Sequence, residues 1–260
     1  MLKYFDIHSH LNFHDYDLNR EAVMERLALS ETGTIVVGTD LESSKWAVEI
    51  AEKYENVYAC IGVHPVDDPT RIFDKKLFVD LVKHPKIVAV GECGLDFFHN
   101  KKEIDFERQK SEFLKHIEFA LEYDKPIMIH SRDAYDEVLE ILEPLKKEYG
   151  ERLRGNSHFF TGSLEQAKRY WAIGFTTSFT GVITFTHDYD EVIKNTPLNM
   201  IMSETDAPWV APVPYRGKRN EPSFVVEVVK KIAEIRGEDL ETVQKALVEN
   251  ACRAYKIVLK

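Results

Sequence analysis

The N-terminal stretch FDIHSHL carries two histidines, His8 and His10, separated by one residue at the end of a short apolar run. Side chains two apart on a β-strand point to the same face, so this spacing presents two imidazoles together, as a chelate would. A lone His-x-His arises often by chance, and its plain reading is a strand running into a polar loop. The other histidines change that balance. Of the ten in the chain, His64, His130 and His158 also lie at or just after the end of an apolar run, while Glu92 closes another and Asp206 follows one. His14, His84, His99, His116 and His187 fall in loops or helical stretches and read as ordinary surface or core residues.

Four imidazoles, His8, His10, His130 and His158, with two carboxylates exceed the needs of one tetrahedral cation, which takes about three protein ligands and keeps a position open for water. Two divalent ions are expected. Glu92 is the natural bridge, because a carboxylate has two oxygens and its charge offsets the repulsion between cations about 3.5–4 Å apart. One ion would take His8, His10, Glu92 and Asp206, and the other Glu92, His130 and His158. A water shared between them would act as a nucleophile near neutral pH, with Asp206 orienting it or accepting its proton. Glu92 and Asp206 are therefore the candidate catalytic carboxylates. Imidazole-rich ligation suits Zn2+, whereas Mg2+ or Mn2+ would serve by mass action.

Eight strands are expected to position these groups: KYFDIH, TIVVG, VYACIG, KIVAVGE, KPIMIH, RGNSH, GFTTSF and NMIMSE. Between them lie segments of helical period. The clearest is DFERQKSEFLKHIEFALEY, with Phe106, Phe113, Ile117, Ala120 and Leu121 on one stripe behind a capping Asp105. Strand–helix units of about 30 residues read as βαβ repeats with a parallel sheet. Eight of them predict a closed (β/α)8 TIM barrel, whose active sites lie at the C-terminal ends of the strands. The open doubly wound alternative would carry a glycine-rich phosphate loop after the first strand, and none stands there. Two further helices, SFVVEVVKKIAEIRG, capped by Ser223 and ended by Gly237, and EDLETVQKALVENACRAY, are expected to pack on the barrel. With no linker or low-complexity tract, residues 1–260 read as one domain.

The net charge of −10 argues against a protein that coats nucleic acid through a broad basic face. It leaves room for a local phosphate-handling cleft. Cys60, Cys93 and Cys252 stand singly, as buried thiols of a reducing compartment would. With no long apolar run and no leader-like N-terminus, a cytoplasmic protein is expected, with no membrane contact and no obligate protein partner.

Seven motifs carry a family resemblance: DIHSHL at 6–11, GVHP at 62–65, GECGLD at 91–96, KPIMIHSRDA at 125–134, SHFFTG at 157–162, SETDAP at 203–208 and YRGKRNEP at 215–222. In this order, over nearly the whole chain, they resemble the TatD-like metal-dependent deoxyribonucleases of the metal-dependent hydrolase superfamily. The resemblance implies a (β/α)8 barrel with His8, His10, Glu92, His130, His158 and Asp206 as metal ligands. It places His64 on the substrate side or beside a ligand. Phe159 departs from the cysteine that many relatives carry there, which alters packing without removing a ligand. Arg132 and Glu204 are candidates for orienting the ligands, with an ordinary ion pair as the plain alternative, and Arg132 also for contacting substrate. Arg216, Lys218 and Arg219 form a basic cluster in an acidic chain, which favours phosphate contact over a merely solvated loop. The expected activity is phosphodiester hydrolysis at DNA ends or single strands. Metal-dependent ester or amide hydrolysis is the alternative, for instance deacylation of mischarged tRNA or opening of a cyclic amide. A metal-binding protein without catalysis fits less well, since it needs neither Asp206 nor an open coordination position.

Overall fold

The computed structural model describes residues 2–66, 68 and 70–259. Among them, eight strands form one parallel sheet in sequential order: β1 Tyr4–Ser9, β2 Thr32–Val37, β3 Val57–Ile61, β4 Ile87–Asp96, β5 Ile127–Arg132, β6 Gly155–Ser157, β7 Thr176–Phe179 and β8 Ile201–Ser203. The ends of the sheet meet. Ser9 bridges Ala207, the Asp206 N–H donates to His8 O at 2.9 Å, and the His10 N–H donates to Ala207 O at 2.8 Å. These bonds lie at the C-terminal rim and tie the segments carrying His8, His10 and Asp206 directly together.

Phe5, Ile35, Cys60, Ala89, Met128 and Met202 come from six different strands yet share one buried cluster, which is possible only across the barrel interior. Helices surround it: α1 Arg20–Leu29, α2 Leu41–Lys53, α3 Lys75–Val82, α4 Lys102–Glu122, α5 Tyr135–Tyr149, α6 Leu164–Ala172, α7 Asp190–Asn195, α8 Val225–Arg236 and α9 Leu240–Tyr255. Val248, Ala251 and Tyr255 of α9 join the interior cluster, so the last helix packs on the barrel as expected. Among the described residues, no helix is long and apolar enough to cross a membrane.

Two expected caps are absent. The α4 helix starts at Lys102, and Asp105 instead accepts from Arg108 and Gln109 within its first turns. The segment Pro222–Phe224 forms a 3-10 turn ahead of α8, with no side-chain cap at that helix, because proline at its start fixes the chain before Ser223. Gly237 does end α8, with φ of 64°.

The β4 strand runs four residues beyond its expected end at Glu92. Gly91 and Gly94 flank that carboxylate with φ of 145° and 148°, and a Cβ at Gly94 would stand 2.0 Å from His130 O. Only glycine permits this backbone and this approach to β5. The continued strand brings Asp96 to the rim on the same side as Glu92.

His116 of α4 is a core histidine, as its position suggests. Its Nε2 accepts from the Val63 N–H at 3.0 Å, and its Nδ1–H donates to Glu112 O at 2.8 Å, fixing the turn that carries GVHP. Burial holds this imidazole at about 4, below its ordinary 6.5. The unfolded chain therefore binds a proton that the fold rejects, so stability is present above the ordinary value and is lost as pH falls toward 4. Wild type is expected to lose about 2 kcal/mol more unfolding free energy between pH 7 and 5 than His116→Gln, from roughly 1.4 kcal/mol per unit of displacement. Urea denaturation of both proteins at the two pH values measures it; identical losses would sink the assignment.

Candidate metal centre

His8 and His10 meet as their spacing predicts, with Nε2 atoms 3.1 Å apart. Paired with Val37 O at 3.0 Å, His10 Nδ1 carries the proton, which turns the Nε2 lone pair inward. Glu92 lies opposite, and its two oxygens face different partners. Oε2 is 3.3 Å from His8 Nε2 and 3.8 Å from His10 Nε2, and Asp206 Oδ1 is 3.7 and 3.6 Å from the same nitrogens. Oε1 is 2.8 Å from His130 Nδ1 and 2.7 Å from His158 Nε2. His64 joins this second group, with Nε2 3.3 Å from His130 Nδ1 and 3.6 Å from Glu92 Oε1. It therefore stands beside the ligand candidates and also lines the cavity they open into.

The donor atoms of His8, His10 and Glu92 all lie within 4.8 Å of one another, as do those of His64, Glu92 and His130. Neutral imidazole nitrogens and carboxylate oxygens converging at this spacing suit divalent cations.

Carboxylates behind the rings orient them, and one of these was missed in the sequence. Asp96, fully buried, accepts from His130 Nε2–H at 3.0 Å and from His99 Nδ1–H at 2.8 Å. Its signal was the alternation Glu92, Gly94, Asp96 within GECGLD. Glu204, just after β8, lies behind His158. It accepts from the Phe159 N–H at 2.5 Å and from Ser178 Oγ at 2.9 Å, and faces His158 Nδ1 at 3.5 Å. Its tie to Phe159 holds a backbone with φ of 45°, and Asp206 likewise sits at φ of 53°. Left-handed non-glycine residues on both sides of a site are a cost met by such fixed partners. Glu204 forms no ion pair with Arg132, whose guanidinium instead lies 3.9 Å over the Phe98 ring.

Carboxylates and imidazoles shift one another here. Burial alone would raise the Glu92 carboxyl, but the imidazoles of His158, His8 and His64 and the His130 hydrogen bond outweigh it and hold it well below the carboxylate range. For His158, burial opposes the charged form, yet Glu92 and Glu204 raise it well above its ordinary value. His8 moves down, through burial and then the neighbouring His158, and keeps a free lone pair.

His10, His64, Glu92, His130, His158 and Asp206 line a cavity of about 660 Å3, together with His99, Arg132, Phe159, Tyr189, Trp209 and Val210. Arg216, Lys218 and Arg219 are not part of that lining. Arg216 donates to Ala211 O and stacks at 3.9 Å on Phe185, whereas Arg219 stacks at 4.3 Å on Tyr16 and donates to Asp15 O. Both guanidiniums tie the loop to neighbouring segments, which loop composition alone does not foretell. Lys218 is exposed. His14, His84 and His187 pair with surface carboxylates, whereas His99 lines the cavity, unlike its expected place among ordinary residues.

A parallel barrel with imidazoles gathered about a shared carboxylate on its C-terminal rim defines a protein built to work through bound cations. The sequence profile of the family described as TatD related DNase matches residues 5–256, and the chain belongs to that family. It is 41% identical to an uncharacterized metal-dependent hydrolase, YabD, of Bacillus subtilis, over 97% of this chain and 99% of that protein. It is 31% identical to the 3'-5' ssDNA/RNA exonuclease TatD of Escherichia fergusonii, over 90% of this chain and 92% of that one. The crystal structure of YjjV, a TatD homolog from Escherichia coli K12, superposes with a TM-score of 0.89 at 28% identity, covering 98% of this chain and 99% of that one.

Proposed function

We propose that this TatD-family metal-dependent hydrolase cleaves phosphodiester bonds at the ends of single-stranded DNA, with two divalent cations per chain. The observation that carries the reading is the division of Glu92, with one oxygen facing His8 and His10 and the other facing His130 and His158. In this reading His8, His10, Glu92 and Asp206 hold one ion, and Glu92, His130 and His158 hold the other, with His64 beside it. Bound there, such ions would acidify a water and stabilise charge on a phosphoryl oxygen.

The remaining chemistry belongs to the chain's own residues. Asp206 accepts the proton of the attacking water, while Asp96 and Glu204 keep His130 and His158 in orientation. Arg132, exposed on the cavity wall, takes a phosphate oxygen, and Lys218 meets a phosphate further along the strand. Trp209 is 48% exposed and meets His10 and Phe13 edge-on, which leaves ring surface for a terminal base to stack on. In a chain of net charge −10, these local features and the ions must supply the attraction for a polyanion. A cavity of about 660 Å3 has room for one terminal nucleotide.

Incubation of protein loaded with Mg2+, Mn2+ or Zn2+ with end-labelled single- and double-stranded DNA, beside an acylated tRNA, tests this. Stepwise release of mononucleotides from single strands is expected. Deacylation of the tRNA with intact DNA would move the assignment to ester hydrolysis.

A further inference from the structure

We propose that His99 is a further catalytic residue of this site, the acid that protonates the leaving oxygen, and that Asp96 is its positioning residue. The inference rests on the phosphodiesterase reading. His99 is half exposed and lines the cavity, whereas its partner Asp96 is fully buried. Two bonds fix the pair: the His99 N–H donates to Asp96 Oδ1 and its Nδ1–H to Asp96 Oδ2, each at 2.8 Å. Backbone and ring are thus both set by one carboxylate, and Nε2 makes no hydrogen bond to the protein among the described residues. The same Oδ2 accepts from His130 Nε2–H at 3.0 Å, and His130 Nδ1 lies 2.8 Å from Glu92 Oε1. Asp96 therefore joins the proton donor to the ligand cluster through two hydrogen bonds. A buried carboxylate that orients an accessible imidazole is the arrangement by which proton-transferring histidines are held.

Arg132 and Phe98 complete that wall, with the guanidinium 3.9 Å from the Phe98 ring centroid and the Phe98 ring edge-on to His99 at 5.1 Å. A phosphate oxygen on Arg132 would bring the scissile group beside His99. In the step, water oxygen forms a bond to phosphorus and its proton passes to Asp206. The bond from phosphorus to the departing sugar oxygen breaks, and that oxygen takes the proton from His99 Nε2. His99 is recharged from solvent and Asp206 releases its proton there, so the net change is addition of one water.

The test compares wild type with His99→Ala on two diesters of the same nucleoside phosphate. One releases a second nucleoside, whose alkoxide needs a proton; the other releases p-nitrophenolate, which does not. The expected loss in kcat is ~100-fold or more on the dinucleotide and less than about threefold on the nitrophenyl ester. Metal content and chelated melting temperature should stay at wild-type values. In metal-free protein, 15N spectra of the imidazole should show His99 protonated at Nδ1, as its bond to Asp96 requires. Equal losses on both esters, no loss on either, or a neutral ring protonated at Nε2 alone would overturn the assignment while leaving the phosphodiesterase reading in place. Wild-type protein inert toward both esters would overturn that reading, and the assignment of His99 with it.

Discussion

Glu92→Gln is expected to lower turnover by about three orders of magnitude, since cations acting on charge at phosphorus supply several kcal/mol and each 1.4 kcal/mol is tenfold. The substitution keeps shape and volume but replaces a charged oxygen pair with one neutral oxygen and an amide. Because His130 and His158 approach Oε1 at 2.8 and 2.7 Å while His8 approaches Oε2 at 3.3 Å, either orientation of the amide turns an NH2 group toward one set of nitrogens. Loss of at least one ion per chain should follow, visible by elemental analysis, with only partial recovery of turnover in excess metal. Full occupancy with unchanged turnover would falsify the bridging role.

The same variant has a second signature once metal is chelated. The depressed Glu92 carboxyl contributes stability that is present above its unfolded value and lost as pH falls through the folded one. The raised His158 imidazole contributes stability that is present below its unfolded value and lost as pH rises through the folded one. Both contributions depend on the Glu92 charge, although Glu204 retains part of the second. Chelated Glu92→Gln should therefore show a flatter dependence of unfolding free energy on pH than chelated wild type, on both sides of neutrality. Parallel curves would mean that the imidazoles do not draw their protonation from Glu92.

Asp206→Asn is expected to reduce turnover by roughly two or more orders of magnitude, the range for losing a group that accepts a proton in the transition state. Asparagine is the informative choice. Residue 206 sits at φ of 53°, a conformation that asparagine tolerates and most residues do not, so the rim backbone is preserved. Its N–H bond to His8 O and the Trp209 N–H bond to its own carbonyl are main-chain contacts and survive. The melting temperature in chelator should stay within about 2 °C of wild type, since a change near 1 kcal/mol moves a protein of this size by a few degrees. Near-normal turnover would remove Asp206 from the proton-handling role.

Much of the fold was legible because its signals are local. Each strand shows as a short β-branched run, the helical stripes show in the spacing of apolar residues, and sequential strand–helix alternation leaves few topologies besides a barrel. Candidate ligands could be read the same way, since His8, His10, Glu92, His130 and His158 all fall at strand ends, where a parallel barrel brings its rim together. Facts that depend on distance in three dimensions and little on neighbours in sequence were not legible. Nothing in GVHP tells that His64 comes within 3.6 Å of Glu92, because that depends on how the turn after β3 closes over the rim. Asp96 and His99 lie beyond the expected end of β4, and their pairing exists because Gly91 and Gly94 let the strand continue against β5. The basic loop is a further case, since a linear chain does not tell that the flat guanidiniums of Arg216 and Arg219 rest on Phe185 and Tyr16 and donate to Ala211 O and Asp15 O. Residue types and periodicity determined which groups gather at the rim; only the closed barrel decided which atoms face one another there, because those distances are set by packing between segments far apart in the chain.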